Sequence, residues 1–317
     1  MKPSHRFACA LLLACLGGCQ STPAPSGPTP AAATPPPSPQ PPPAGVTGDL
    51  RTLPALASRH VAARQVDVWL PPGYDSDARR RYPVLYVHDG QNLFDPKHTY
   101  AGVDWGVDEA MTRLIAAGKV RPAIVVGIWN SPKRFAEYMP QKAVNGESVA
   151  TGVDAYPPVP ARDMLGDAYL RYLVEELKPA IDRDFRTLPG RDDTFVMGSS
   201  MGGMISLYAI AEHPQVFGGA GALSTHWLAG DGAMVDWFGA HLPNPRTHRL
   251  YFDHGTVTLD ANYAPYQQRM DAALRQGGYR EGSHWISRVY PGAEHHERAW
   301  RARVDIPLIF LLGVRAR

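Results

Sequence analysis

The chain of 317 residues contains only three cysteines. Cys9 and Cys15 fall in an N-terminal stretch that reads as a removable leader, and Cys19 follows directly, so the remaining chain has no thiol. That scarcity excludes disulfides, a cysteine nucleophile and a thiolate metal site from the folded body, whatever the redox compartment. An excess of one charge is also missing: 32 Lys and Arg stand against 30 Asp and Glu, a formal net charge of +2. With no basic run and no basic residues interleaved with aromatics, nucleic acid is not an expected partner. The apolar run at residues 7–16 is too short to span a bilayer, which takes ~20 helical residues. The sequence shows no internal repeat and no second change of composition that would mark a domain boundary.

Hydrophobic residues at 44% and charged residues at 20% are ordinary values for a globular chain with a sizeable core. Lys2 and Arg6 before the apolar run make an export signal. Its end, Leu16-Gly17-Gly18-Cys19, resembles the lipobox of bacterial lipoproteins, which implies cleavage before Cys19 and acyl chains on its sulfur; Gly17 is an unusual choice there. A plain secretory signal is the alternative. Gln20 after the cysteine points to outer-membrane sorting in a Gram-negative cell. Residues 21–48 are Pro, Ala, Ser and Thr with almost nothing to bury, a composition that favours extended polyproline segments of ~3.1 Å per residue. The expected organisation is a signal peptide over 1–18, a lipidated Cys19 and Pro-rich linker over 19–48, and one domain over 49–317. Its expected place is outside the cytoplasm, lipid-anchored to the cell envelope, in the periplasm or at the outer membrane.

Beyond the linker, short runs rich in Val, Ile and Tyr alternate with helical patterns, the mark of βα units around a mostly parallel sheet. Strands are expected at 65–70, 84–88, 123–129, 194–198, 218–224, 249–253 and 285–290, and their near-continuous hydrophobicity suits strands covered on both faces. Helices are expected at 105–117, 168–183, 202–212 and 266–276.

The segment Gly198-Ser199-Ser200-Met201-Gly202-Gly203 fits G-x-S-x-G, a strand-to-helix turn that lifts a serine above the sheet edge. An apolar strand pattern precedes it and a helical one follows, which favours Ser200 as nucleophile over a glycine-rich turn with a capping serine. A serine hydroxyl needs a base, and the base needs an orienting group. His295, in Pro291-Gly292-Ala293-Glu294-His295-His296, follows the last expected strand and is preferred over His296. Adjacent histidines make poor joint metal ligands, so no metal site and no cofactor is expected. Asp260 and Asp253 are the candidate acids; Asp260, in the loop beyond Gly255, is preferred. Amides for an oxyanion are expected from Met201, after the nucleophile, and Gln91, in the turn after His88-Asp89-Gly90. Arg134 and Glu137 are candidate substrate contacts, but an Arg134–Glu137 pair bracing the loop after its strand is the preferred reading. Trp227 and His226 are candidates to line the substrate pocket, with a tryptophan packed in a cap as the alternative, and Tyr100 and Trp105 stand likewise.

Together, His88-Asp89-Gly90-Gln91-Asn92, Arg134-Phe135-Ala136-Glu137-Tyr138, the Ser200 motif, Phe217-Gly218 with Leu223-Ser224, and Gly292-Ala293-Glu294-His295 with Trp300 resemble the esterase D-like branch of the α/β-hydrolases. That group includes feruloyl esterases, enterochelin esterases, S-formylglutathione hydrolases and mycolyltransferases. The resemblance runs over about residues 64–312 and implies a three-layer α/β sandwich. It also implies a serine carboxylic-ester hydrolase with Ser200 as nucleophile and His295 as base. The implied partner is a small-molecule, glycan or siderophore ester. An acyltransferase on the same site and a non-catalytic envelope-binding protein are the alternative functions.

Overall fold

The computed structural model describes residues 45–314. The expected signal peptide, the lipid attachment at Cys19 and the linker up to residue 44 lie outside the described residues. Eight strands form one sheet: β1 (Asp49–Leu56), β2 (Arg64–Leu70), β3 (Val84–His88), β4 (Ile124–Ile128), β5 (Thr194–Ser199), β6 (Gly219–Leu223), β7 (Arg249–His254) and β8 (Trp285–Val289). Their order across the sheet is β1-β2-β4-β3-β5-β6-β7-β8. All neighbours from β4 to β8 pair in parallel, while β1 and β2 run antiparallel at one edge. β1 was not expected as a strand; its register shifts between Leu53 and Leu56, around Pro54, whose missing N–H only an edge strand tolerates.

The helices are α1 (Val107–Ala116), α2 (Arg134–Tyr138), α3 (Gly166–Arg171), α4 (Lys178–Asp184), α5 (Met201–Glu212), α6 (Ala233–Ala240), α7 (Ala264–Gln276), α8 (Glu297–Arg301) and α9 (Asp305–Leu312). Alternate residues of the central strands enter separate cores. Val84, Tyr86 and Val196 pack with side chains of α3 to α7 on one face. Leu85, Val87, Phe195 and Met197 pack with α1 and α9 on the other. This two-faced burial explains why the strands read as unbroken apolar runs and makes three layers. The single helix expected at 168–183 is α3 and α4 joined through a π turn, Tyr172–Leu177. Pro179, with no N–H to give to residue 175 and a ring that crowds that carbonyl, accounts for the widened turn. α9 was not expected, since the apolar run Asp305–Leu312 has no polar face from which to tell a helix from a strand. Among the described residues, no helix is long and apolar enough to cross a membrane.

Candidate active site

Every element that carries a candidate residue meets the others at the carboxyl edge of the parallel strands. Ser199, Leu223 and Asp253 lie in register across β5, β6 and β7, so Ser200 and Ser224 leave the sheet side by side, next to His254 at the last position of β7. Ser200 stands between β5 and α5 with φ 57 and ψ −124, a backbone state that costs a non-glycine residue ~1–3 kcal/mol. Its N–H donates to Leu223 O at 2.8 Å, and its carbonyl accepts from the amides of Met204 at 3.2 Å and His226 at 3.3 Å. The flanking glycines are steric necessities: a Cβ on Gly198 would lie 2.6 Å from the carbonyl carbon of Gly202. The Met201 amide, in the first turn of α5, carries no hydrogen bond in the structure. Ser199 is buried and turned away from the half-buried Ser200.

His295 and Asp260 are brought together as expected. Nδ1 of His295 lies 2.6 Å from Asp260 Oδ1. An ionised carboxylate only accepts, so Nδ1 carries the proton and Nε2 is left with a free lone pair. The ring is held edge-on between Tyr263 at 5.8 Å and Trp300 at 5.1 Å, and the His295 amide donates to Thr258 Oγ at 2.8 Å. Thr258 itself has φ 56, rare for a β-branched residue. Asp260 is 1% exposed. Burial alone would raise its pKa, but hydrogen bonds from His295, Ser224 and the Gly255 amide hold it below the usual carboxylate value. No hydrogen bond joins Ser200 to His295; a bond of this kind is often long without substrate and tightens in the complex. The link between them runs through contacts: Tyr263 touches both His295 and His226, and the His226 amide holds the Ser200 carbonyl. His296 points elsewhere, its ring accepting from the Arg298 amide at the start of α8. Asp253 pairs with Arg303 and Tyr251, not with a histidine.

On the other side of Ser200, Asp89 takes φ 59 and opens the turn Gly90–Asn92. The turn lies against the elbow, for a Cβ on Gly202 would be 3.3 Å from both Asp89 Oδ2 and His88 Cβ. The Gln91 amide has no hydrogen-bond acceptor among the described residues, while its side chain donates to Tyr100 OH at 2.9 Å and accepts from the Asn130 amide at 3.3 Å. The Arg134–Glu137 pair does not form. Arg134 instead grips Asp89 with Nε to Oδ1 and Nη2 to Oδ2, both 2.7 Å, and Asn130 Nδ2 adds a bond to Oδ1 at 2.6 Å. Glu137 turns inward from α2 to Arg64 of β2, at 2.9 and 2.8 Å, with both side chains buried. Burial works to raise Asp89, yet Arg134 and Asn130 hold it below the ordinary carboxylate value. His88 is buried and neutral, its pKa pushed down to about 3 by desolvation, with Nδ1 2.8 Å from Tyr169 OH.

Trp227 packs the interior, against its candidacy for the substrate pocket: 1% exposed, it donates Nε1–H to Gln267 at 3.1 Å and stacks on Phe252. Trp105 is likewise fully buried, against Trp300, whereas Tyr100 is 67% exposed. His226, read with Trp227 as a candidate for the substrate pocket, is buried as well. Its Nε2 lies 2.7 Å from Thr151 O, an obligate acceptor, so Nε2 carries the proton and Nδ1 accepts from Tyr263 OH at 2.8 Å. Desolvation pushes this ring down to about 4. Tyr263 and Arg303 were missed. Tyr263 lies three residues past Asp260, a spacing that was available as a signal; Arg303 offers no local one.

The "Putative esterase" family model matches residues 61–311. An uncharacterized protein, YbbA of Bacillus subtilis (strain 168), is 22% identical over 268 residues, covering 82% of this chain and 96% of that one. A solved ferulic acid esterase superposes with a TM-score of 0.60 at 19% identity, covering 84% of this chain and 98% of the other. The enterobactin esterase FES from Shigella flexneri gives a TM-score of 0.62 at 18% identity, covering 84% and 61%. At these identities the two structures speak for the fold, and the family match extends over most of the chain. The chain thus has an α/β-hydrolase-like fold, belongs to the esterase family and is a carboxylic-ester hydrolase.

Proposed function

We propose that the enzyme works through an acyl-enzyme on Ser200 with His295 and Asp260 completing a triad. Ser200 Oγ attacks the ester carbonyl carbon as its proton passes to His295 Nε2. The developing oxyanion takes hydrogen bonds from the Met201 and Gln91 amides, an interaction typically worth about 2.7–4 kcal/mol per donor. His295 then gives its proton to the departing alcohol. In the second half, His295 takes a proton from water, which attacks the acyl carbon, and Ser200 leaves with that proton. Asp260 stays ionised throughout and fixes the imidazole tautomer. The observation that carries this reading is the 2.6 Å Asp260–His295 bond, which leaves Nε2 free as a base. Replacement of Ser200 by alanine is expected to abolish nitrophenyl-ester turnover and fluorophosphonate labelling in a folded protein; full activity in that variant would refute the assignment.

The substrate class proposed is a feruloyl or enterobactin-like siderophore ester, on the strength of what the similar solved structures are named for, with a glycan ester as the further candidate from the sequence. An ester panel on residues 49–317 separates these, and added sugar or lipid acceptors reveal acyl transfer in place of hydrolysis. The proposed setting is the cell envelope, with the chain exported and anchored through Cys19. Incorporation of labelled palmitate that Cys19→Ala fails to abolish would rule the anchor out.

A further inference from the structure

Asp260 has a third partner that the reaction as described leaves unused. Ser224 Oγ lies 2.6 Å from Asp260 Oδ2, while Oδ1 is taken by His295. The direction of this bond is fixed by elimination. A hydroxyl has one hydrogen and two acceptor lone pairs. Trp300 Nε1 at 3.0 Å and Arg303 Nη2 at 2.9 Å both contact Ser224 Oγ, and both groups only donate. The hydroxyl hydrogen therefore points at Asp260. We propose that Ser224 is a positioning residue: polarised by Arg303, its hydroxyl holds Asp260 ionised and aligned on His295, an inference that rests on the triad reading above.

Two features argue against an ordinary core serine. Ser224 has φ 41, where glycine would fit without strain, yet a side chain is retained and is fully buried. Arg303, 4% exposed, places Nη2 2.9 Å from both Ser224 Oγ and Asp253 Oδ1, while its buried Nε and Nη1 have no hydrogen-bond partner among the described residues and its guanidinium lies over the Tyr290 ring, 4.8 Å from the centroid. Every hydrogen bond of this buried cation is therefore made by the nitrogen that touches Ser224. Asp253 offsets that charge, and its Oδ2 accepts from Tyr251 OH. The groups around Asp260 are His295, the Gly255 amide, Tyr263 and His226, with Arg303 and Asp253 behind Ser224.

The test measures kcat, KM and the pH dependence of kcat/KM on a nitrophenyl ester for Ser224→Gly, Ser224→Cys, Asp260→Asn and the Ser224→Gly/Asp260→Asn double variant. Glycine removes the hydroxyl and relieves the backbone; cysteine keeps the volume with a weak donor. Both are expected to fold and to lose roughly 10- to 100-fold in kcat, the scale of small misplacements at a reacting site, with KM within about twofold. The acid limb should move to higher pH, because a carboxylate relieved of a donor stabilises the imidazolium more strongly. In the Asp260→Asn background the Ser224 change should add nothing. Wild-type kcat and pH profile in a folded Ser224→Gly, with Asp260→Asn crippled, would overturn the role of Ser224 alone. Failure of both Ser224 variants to fold would assign the residue to structure and overturn it too. An unimpaired Asp260→Asn would instead refute the triad.

Discussion

Asp89–Arg134 and Asp253–Arg303 flank the Ser200 turn, one pair beyond β3 and the other at the end of β7, and the same two residue types behave differently. The first is bidentate, with an arginine side chain 29% exposed and an extra bond from Asn130. The second rests on one nitrogen, and both side chains are sealed, at 3% and 0% exposure. Desolvation opposes both carboxylates, but it is overcome only in the first: Asp89 is held below its ordinary pKa, whereas burial leaves Asp253 above it despite Arg303. An arginine partner is therefore not enough to keep a carboxylate comfortable; geometry and solvent access decide. The well-satisfied pair braces the turn that presents the Gln91 amide. The poorly satisfied one places a buried cation against the Ser224 hydroxyl.

The largest expected effect tests whether the two aspartates beyond β6 divide the work. Asp260→Asn should lower kcat by about 10³- to 10⁴-fold, the cost of leaving a catalytic histidine in the wrong tautomer. Asp253→Asn should keep kcat within roughly tenfold of wild type. Steady-state kinetics on one ester decides, and a reversal of the two results would make Asp253 the orienting acid. In stability the ranking inverts. Asp253→Asn strands a sealed Arg303 and should cost about 3–5 kcal/mol in urea unfolding, against about 1–2 kcal/mol for Asp89→Asn, whose arginine partner can rehydrate. Equal losses would erase the contrast between the pairs.

Legibility in the sequence divides along the same line. The strand-to-helix turn at Ser200 and the meeting of His295 with Asp260 were readable because those positions are written locally: a glycine crowded against the turn, and loops directly after strands. The central strands were readable because two-sided burial demands continuous apolar runs. The arginine pairs were not. Arg134 reaches a carboxylate 45 residues away and Arg303 one 50 residues away, so the nearby Glu137 was the natural but wrong partner for Arg134. Trp227 was ambiguous for a related reason: an indole after a strand end faces solvent or core according to what α7 places over it, here Gln267.

A smaller effect concerns two buried histidines, His88 beside Asp89 and His226 beside Tyr263. The unfolded chain binds protons below about pH 6.5, but folded His88 resists until about 3 and folded His226 until about 4. The unfolded state thus takes up more protons in that window, and stability should fall as pH drops from 6.5. The urea midpoint should slope downward with acid, and less steeply in His88→Gln; an unchanged slope would show that His88 is not the source.

The smallest effect isolates the two carboxylates from one another. Asp89 is depressed when folded, so its contribution is complete above the ordinary value of 3.8 and is lost as pH falls through its lower folded value. Asp253 is raised when folded, so the folded state keeps a proton that the unfolded chain has released, and stability declines as pH rises from 3.8 through the raised value. The two slopes have opposite sign. Asparagine is a clean probe at position 89, because it tolerates the left-handed backbone that Asp89 adopts and removes only the charge. Asp89→Asn should therefore flatten the urea midpoint below pH 4, while Asp253→Asn should remove the decline above it. If both variants shift the curve in the same direction, the two pairs are electrostatically alike, and the polarising role given to Arg303 loses its physical basis.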